Sequence, residues 1–206
     1  MKKSTIEVYT VVKDDGTYLP FFIKHYKKAF PGCKFTIFNN GCTAQVLDLL
    51  KDPDCTVISW GPYDEKKLQI TKNTCWQHSK ADWVIVCDID EIADINIQDI
   101  EELDHNVQVI NFQGYHMLSR SMKSIPLEDL THGVIDNSYN KYIMFRPKFN
   151  AVVYQMGAHV AITSGIKSKK IYKLLHYNQS YLEIIQIAKV RHFTYKNIHR
   201  VLEDKI

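Results

Sequence analysis

Trp83 to Val86 are four consecutive apolar residues, aromatic or β-branched, and the run breaks off into Cys87-Asp88-Ile89-Asp90-Glu91. A short apolar block of this composition suits a strand covered on both faces, as in the parallel sheet of an α/β protein. Ligands of such sheets bind beyond the carboxyl ends of the strands. Asp88 and Asp90 are then expected at that rim, with Ile89 turned into the core. Two carboxylates so placed can face one divalent cation of the kind that bridges diphosphate oxygens. The competing reading is a pair of turn or capping aspartates. The chain holds its own control in Asp52-Pro53-Asp54, which has the same spacing. There a central proline, a helix-like stretch before and a strand-like stretch after mark a surface turn.

The segments around the motif strand alternate. Ile6 to Val12 reads as a strand, Asp14-Asp15-Gly16 as a turn, and Tyr18 to Ala29 as a helix with Leu19, Phe22, Ile23 and Tyr26 on one face, stopped by Pro31-Gly32. Lys34 to Phe38 is the next strand, Asn39-Asn40-Gly41 a loop, Thr43 to Leu50 a helix, Thr56 to Trp60 a strand, and Asp64 to Ser79 a helix. This β-α-β-α-β-α-β order predicts a parallel, doubly wound sheet. After Glu91 the pattern is mixed. Strands are predicted at Val107 to Phe112, Lys141 to Arg146 and Val152 to Met156, and a helix around Ser180 to Val190, while Tyr115 to Thr131 shows no clear period.

At 206 residues, 45% of them hydrophobic and 24% charged, the chain can bury one sizeable core. One domain is expected, with a ligand-binding half over 1–92 and a second half over 93–206 that covers it. The charged helical pattern from Arg200 to Ile206 has no stop signal and suggests a piece of a longer protein. A net charge of +3 and a pI near 8.5 suit a small anionic ligand and fall short of the basic stripe of a nucleic-acid binder. No apolar run is long enough to span a bilayer. The five cysteines lack a Cys-x-x-Cys pair and read as free thiols of a reducing compartment, so the expected location is the cytoplasm.

Taken in order, Asp88-Ile89-Asp90-Glu91-Ile92, Arg146-Pro147, Gly157-Ala158-His159, and His176-Tyr177-Asn178 with Ser180 and Lys189 resemble the pattern of GT-A-fold nucleotide-sugar glycosyltransferases of a family-2-like group. There is a further likeness to the capsid-protein glycosyltransferases of large algal viruses, which would work in the host cytoplasm. The resemblance covers most of the chain. It implies an α/β GT-A fold, with a Rossmann-like nucleotide-binding half and a mixed central sheet flanked by helices. It also implies a Mn²⁺ or Mg²⁺ cofactor, a UDP-sugar donor carrying glucose or rhamnose, and a glycan or glycoprotein acceptor. Thr10, Val11, Val12 and Lys13 would line the uracil pocket, and Lys72 and Asn73 would point at the nucleoside or phosphates. Asp88 would touch the ribose, with Ile89 beside it in the donor contacts, and Asp90 would hold the metal, with Glu91 supporting the loop. A histidine of the second half would complete the metal shell, His159 or His176. Where many relatives carry an acidic residue this chain has Asn39-Asn40-Gly41, so uracil contacts at Asn39 would come from an amide or backbone. No general base announces itself; Asp136 and Glu128 are candidates, each in a segment polar enough to be a solvated loop.

The lysines at 167, 169, 170 and 173 read as a solvated face, with diphosphate stabilisation as the functional alternative. Other classes were weighed on the same residues. A phosphatase or phosphotransferase with Asp88 as nucleophile would place its motif on the first strand, whereas here it follows the fourth. A sugar-binding module without a metal gives no reason for three clustered carboxylates, which repel unless a cation or donors compensate. A nucleotidylyltransferase would want a Gly-rich, Arg-containing loop where the chain has Lys13-Asp14-Asp15-Gly16.

Overall fold

The first strand, β1 (Ile6–Val12), alternates its side chains between two cores. Ile6, Val8 and Val12 join one and Tyr9 the other. The second strand of this kind is β4 (Trp83–Val86), buried at all four positions: Trp83 and Ile85 enter the first core, Val84 and Val86 the second. Burying each of these side chains contributes about 1.5–3 kcal/mol, which is why the run has no polar alternation. The computed structural model describes residues 3–118, 126–156 and 160–177.

Against the first core lies α1 (Tyr18–Ala29), which buries Leu19, Phe22, Ile23 and Tyr26, the i, i+3, i+4, i+7 stripe seen in its sequence. Pro20 falls in its first turn, where no backbone N–H is needed. The helix stops before Pro31-Gly32, with Gly32 at φ +88°, the left-handed conformation that glycine takes without a Cβ penalty. The chain continues through β2 (Lys34–Asn39), α2 (Ala44–Asp48), β3 (Cys55–Ser59) and α3 (Glu65–Thr74) before reaching β4. The Asp64 carboxylate caps α3 by accepting from the Lys67 N–H at 2.6 Å. α2 and α3 are shorter than their sequence periodicity suggests, α3 ending five residues before Ser79.

β5 (Glu91–Asp94), α4 (Ile97–Glu101), β6 (Val109–Met117), β7 (Gly133–Ile135), β8 (Met144–Phe145), β9 (Val152–Tyr154), β10 (Ala161–Thr163) and β11 (Lys167–His176) follow. Among the described residues the main sheet has nine strands in the order β3-β2-β1-β4-β8-β6-β11-β5, with β7 on β6, and β9 and β10 form a separate ribbon. The first four strands are mutually parallel, as expected. The whole sheet is mixed: β8 runs against β4 and against β6, β11 runs parallel to β6, and β5 runs against β11. Two reversals restore the original sense, so β6 and β11 deliver their carboxyl ends to the same edge as β1 and β4.

The predicted strand over Lys141 to Arg146 reduces to β8, and the one starting at Val107 begins two residues later and runs on to Met117. The lysine run proves to be β11, paired on both sides by β6 and β5. The predicted helix around Ser180 to Val190 lies outside the described residues. The cysteines are free, with Cys33 and Cys87 buried. Among the described residues no helix is long and apolar enough to cross a membrane.

Candidate active site

Residues 87–90 leave β4 at that shared edge. Asp88 is one-third exposed on its side chain, and each of its oxygens holds a buried lysine: Oδ1 accepts from Lys72 Nζ at 2.6 Å and Oδ2 from Lys141 Nζ at 3.3 Å. Lys72, on α3, and Lys141, just before β8, are 3% and 1% exposed. Lys141 also binds the buried Glu91 carboxylate, whose second oxygen accepts the Asp88 N–H at 3.1 Å. Burial alone would raise the Asp88 pKa. The two ammonium groups outweigh it and hold this carboxyl well below the usual range. The same carboxylates hold the Lys141 ammonium charged against its burial.

Asp90 has no such partner. Burial, then the charges of Glu91 and Asp88, push its pKa up to about 7. Its backbone carbonyl accepts the Tyr177 N–H at 2.9 Å, which fixes the end of β11 against the motif. His176 therefore stands over Asp90, Nε2 to Oδ2 at 3.4 Å. Its imidazole stacks on Tyr139 at 3.9 Å between ring centres and neighbours His116 at 5.5 Å. Tyr139 comes this close because residue 114 is glycine: a Cβ there would lie 2.7 Å from Asp136 O and from Tyr139 itself. Burial lowers the His176 pKa to about 4 against the opposing charge of Glu91, so the ring is neutral at physiological pH. Its Nδ1 is buried without a hydrogen-bond partner among the described residues.

Among the described residues no three His, Cys, Asp or Glu side chains form a ready ligand set. Both Asp88 oxygens, expected to face a cation beside Asp90, are engaged by lysines. The Asp90–His176 pair does fit. Its 3.4 Å separation exceeds a good N–H···O bond of roughly 2.7–3.2 Å. It is near the ~3 Å between adjacent ligands of an octahedral cation with ~2.1 Å bonds. Neutral imidazole is the ligating form. The pair supplies two of six octahedral positions, as suits a cation whose remaining positions are filled by diphosphate and water.

The other expected contacts divide. Thr10, Val11 and Lys72 line a narrow cleft with Tyr9, Phe38, Thr71, Cys75, Val86 and Cys87, and the buried Thr10 Oγ1 has no hydrogen-bond partner among the described residues. Ile89 is turned into the core as expected. Val12 is wholly in the core, with its carbonyl taken by the Asn40 N–H at 2.9 Å and by the Cys42 thiol, and Lys13 is exposed. Lys72 does not point out to a ligand; it is turned in to Asp88. Asn73 is spent on structure, its amide donating to Tyr154 O at 2.9 Å and accepting from Tyr154 N at 2.8 Å. The Asn39 side chain accepts from the Cys42 N–H at 2.7 Å. Arg146 is remote, its guanidinium over the Trp83 ring at the opening of β4.

Asp136 lies near His116 and His176. Burial opposes its ionisation, but the Ser138 hydroxyl and N–H and those imidazoles outweigh it and lower its pKa. Glu128 is an exposed partner of Lys24 at 3.1 Å. The lysines at 167, 169 and 170 open β11, about 20–30 Å of strand from His176, where Lys169 and Lys170 pair with Asp104 and Asp99; that end of the run is away from the motif. His159, Asn178, Ser180 and Lys189 lie outside the described residues. Sequence reasoning missed Lys141, Tyr139 and His116. His116 fell in the stretch from Tyr115 to Thr131 that shows no clear period, and only the structure extends β6 over it.

No family model matches the chain, and no curated protein does. Solved structures similar to it include a galactosyltransferase, LgtC, in complex with donor and acceptor sugar analogues (14% identity over 52% of this chain and 46% of that one, TM-score 0.37). Others are TarS of S. aureus (13%, 84% and 36%, TM-score 0.49) and a mannosyltransferase of Pyrobaculum calidifontis in complex with GDP-Man and Mn²⁺ (10%, 59% and 37%, TM-score 0.40). The chain spans less than half the length of each. Likenesses this low carry no argument about chemistry, which rests on the chain's own residues.

Proposed function

We propose that the chain is a metal-dependent glycosyltransferase of the GT-A type, moving a sugar from a UDP-sugar to a hydroxyl of a glycan or glycoprotein. The observation that carries the reading is the Asp90–His176 pair: an uncompensated carboxylate and a neutral imidazole, brought by β4 and β11 to the carboxyl edge of the sheet. Asp90 and His176 would hold Mn²⁺ or Mg²⁺, which when bound supplies charge neutralisation for the departing diphosphate. The base would lie against the carboxyl end of β1, where the buried Thr10 hydroxyl has no hydrogen-bond partner among the described residues. Asp136, held ionised beside His116 and His176, would receive the hydroxyl proton. Glucose and rhamnose are the donor sugars proposed.

The phosphotransferase alternative needs a free Asp88 oxygen as nucleophile, and both are engaged by lysines. The deciding experiment is a panel of nucleotide sugars assayed for binding and for slow hydrolysis with Mn²⁺ and with chelator. Binding and turnover of a UDP-sugar only with the cation is the expected result. Indifference to every nucleotide sugar in the presence of Mn²⁺ rules the reading out.

A further inference from the structure

Four charged side chains behind Asp90 form a closed set. Lys72 and Lys141 carry two positive charges, Asp88 and Glu91 two negative ones, and contacts link all four in a row: Lys72 to Asp88, Asp88 to Lys141, Lys141 to Glu91. Lys72, Lys141 and Glu91 are almost wholly buried. The row closes on the backbone, since Glu91 also accepts the Asp88 N–H. Asp90 is therefore the one motif carboxylate left over. A cation arriving at Asp90 meets a neutral background carrying a single negative charge, although three carboxylates lie within four residues of sequence.

We infer that Lys141 is a positioning residue that sets the charge offered to the cation. By spanning Asp88 and Glu91 it removes both from the ligand set and leaves cation binding to Asp90, His176 and the oxygens of an anionic donor. The inference rests on the reading of Asp90 and His176 as a metal-holding pair, and adds a property that reading does not contain. The free protein binds the cation weakly, and donor diphosphate supplies the missing negative charge. Buried opposite charges a few ångströms apart interact strongly enough that removing one of them changes what a nearby ion feels.

The test is Mn²⁺ affinity without nucleotide, read by calorimetry or Mn²⁺ electron paramagnetic resonance on three variants. Lys141→Met leaves Glu91 unpaired and is expected to tighten Mn²⁺ binding by about tenfold, since one more negative charge then faces the ion. Glu91→Gln leaves one ammonium in excess and is expected to weaken it by about as much. The double variant restores the balance and is expected to return near wild type. If Lys141→Met does not fold, the opposite shift of Glu91→Gln and its reversal in the double variant carry the test. A purely structural Lys141 predicts instead that every variant weakens Mn²⁺ binding or leaves it alone, and that outcome overturns the inference. Wild type with added UDP is the control. If it binds no Mn²⁺ there, the metal-site reading itself falls; if it binds and the variants shift alike, the inference alone falls.

Discussion

Asp52-Pro53-Asp54 and Asp88-Ile89-Asp90 share a spacing and a lysine clasp, and they reach opposite electrostatic states. At the first, the ammonium of Lys27 reaches both carboxylates, at 2.7 and 3.0 Å, and Lys34 adds to Asp54, so both acids are held below their usual range. At the second, two buried lysines are spent on Asp88 and Glu91 and none on Asp90, which is pushed up to about 7. Spacing does not separate the two triplets. The allocation of positive charge does: in the turn both acids are compensated by lysines, and at the end of β4 one acid is left over.

The largest break in that comparison comes from the leftover acid. Asp90→Ala is expected to lower Mn²⁺-dependent nucleotide-sugar turnover by about a thousandfold, the scale of losing a main electrostatic contact to a developing charge. The fold should persist, since Asp90 contributes to the rim and little to either core. Turnover unchanged at saturating Mn²⁺ would remove Asp90 from the site.

A sharper probe is proton linkage in the absence of cations. The Asp90 pKa is raised to about 7, so its contribution is full below pH 4 and is lost as pH rises to 7. The His176 pKa is lowered to about 4, so its contribution is full above pH 6.5 and is lost as pH falls to 4. Between about pH 4 and 6.5 the two slopes oppose and cancel. Wild-type stability in chelator should therefore show little slope from this pair. His176→Gln should uncover a fall of up to about 1.4 kcal/mol per pH unit as pH rises, and Asp90→Asn a rise of the same size. Urea titrations at four pH values read this directly, and parallel curves for all three proteins would refute the pairing. The raised Asp90 also means that loss of metal near neutral pH does not by itself identify a histidine ligand; substitution of His176 does.

Metal and nucleotide together should protect the protein where either alone does little. At a hundredfold excess over its dissociation constant, UDP with Mn²⁺ is expected to stabilise by about 2.7 kcal/mol, visible as several degrees in a thermal scan. UDP with chelator should protect far less, and GDP or CDP with Mn²⁺ less than UDP. His176→Ala should reduce the Mn²⁺-dependent part and leave a residue of nucleotide protection. Protection indifferent to Mn²⁺ would detach the nucleotide from the Asp90–His176 pair.

What was readable in the sequence follows a physical line. β1, α1 and β4 keep the bounds their patterns predict, because each buries a full stripe or a full run and nothing distant competes. β11 was hidden. Its buried positions, Ser168, Tyr172, Leu174 and His176, alternate imperfectly among lysines, and a register shift between Lys167 and Ile171 breaks the period. The rim position of Asp88 and Asp90 was legible from β4, whereas their division of labour was not. It depends on Lys141, 50 residues from Glu91 in sequence and brought to it only by the antiparallel pairing of β8 on β4. Lys72 was singled out for a ligand and serves a neighbouring carboxylate instead, a choice that geometry makes and composition does not.

The smallest effect belongs to the other triplet, and it is the control that gives the first prediction its meaning. Asp54 lies in the surface turn between α2 and β3, the strand at the far edge of the sheet from β5. Its lysine partners are partly solvated, and ion pairs of that kind contribute little, because water and side-chain entropy offset the attraction. Asp54→Ala should leave turnover, Mn²⁺ affinity and UDP protection at wild-type values and shift the thermal midpoint only slightly. Lys27→Met should behave the same way, although it unclasps two carboxylates at once. A loss of Mn²⁺ affinity in either variant would mean that charge is shared across the sheet rather than settled locally by buried lysines, and the contrast between the two triplets would then have to be redrawn.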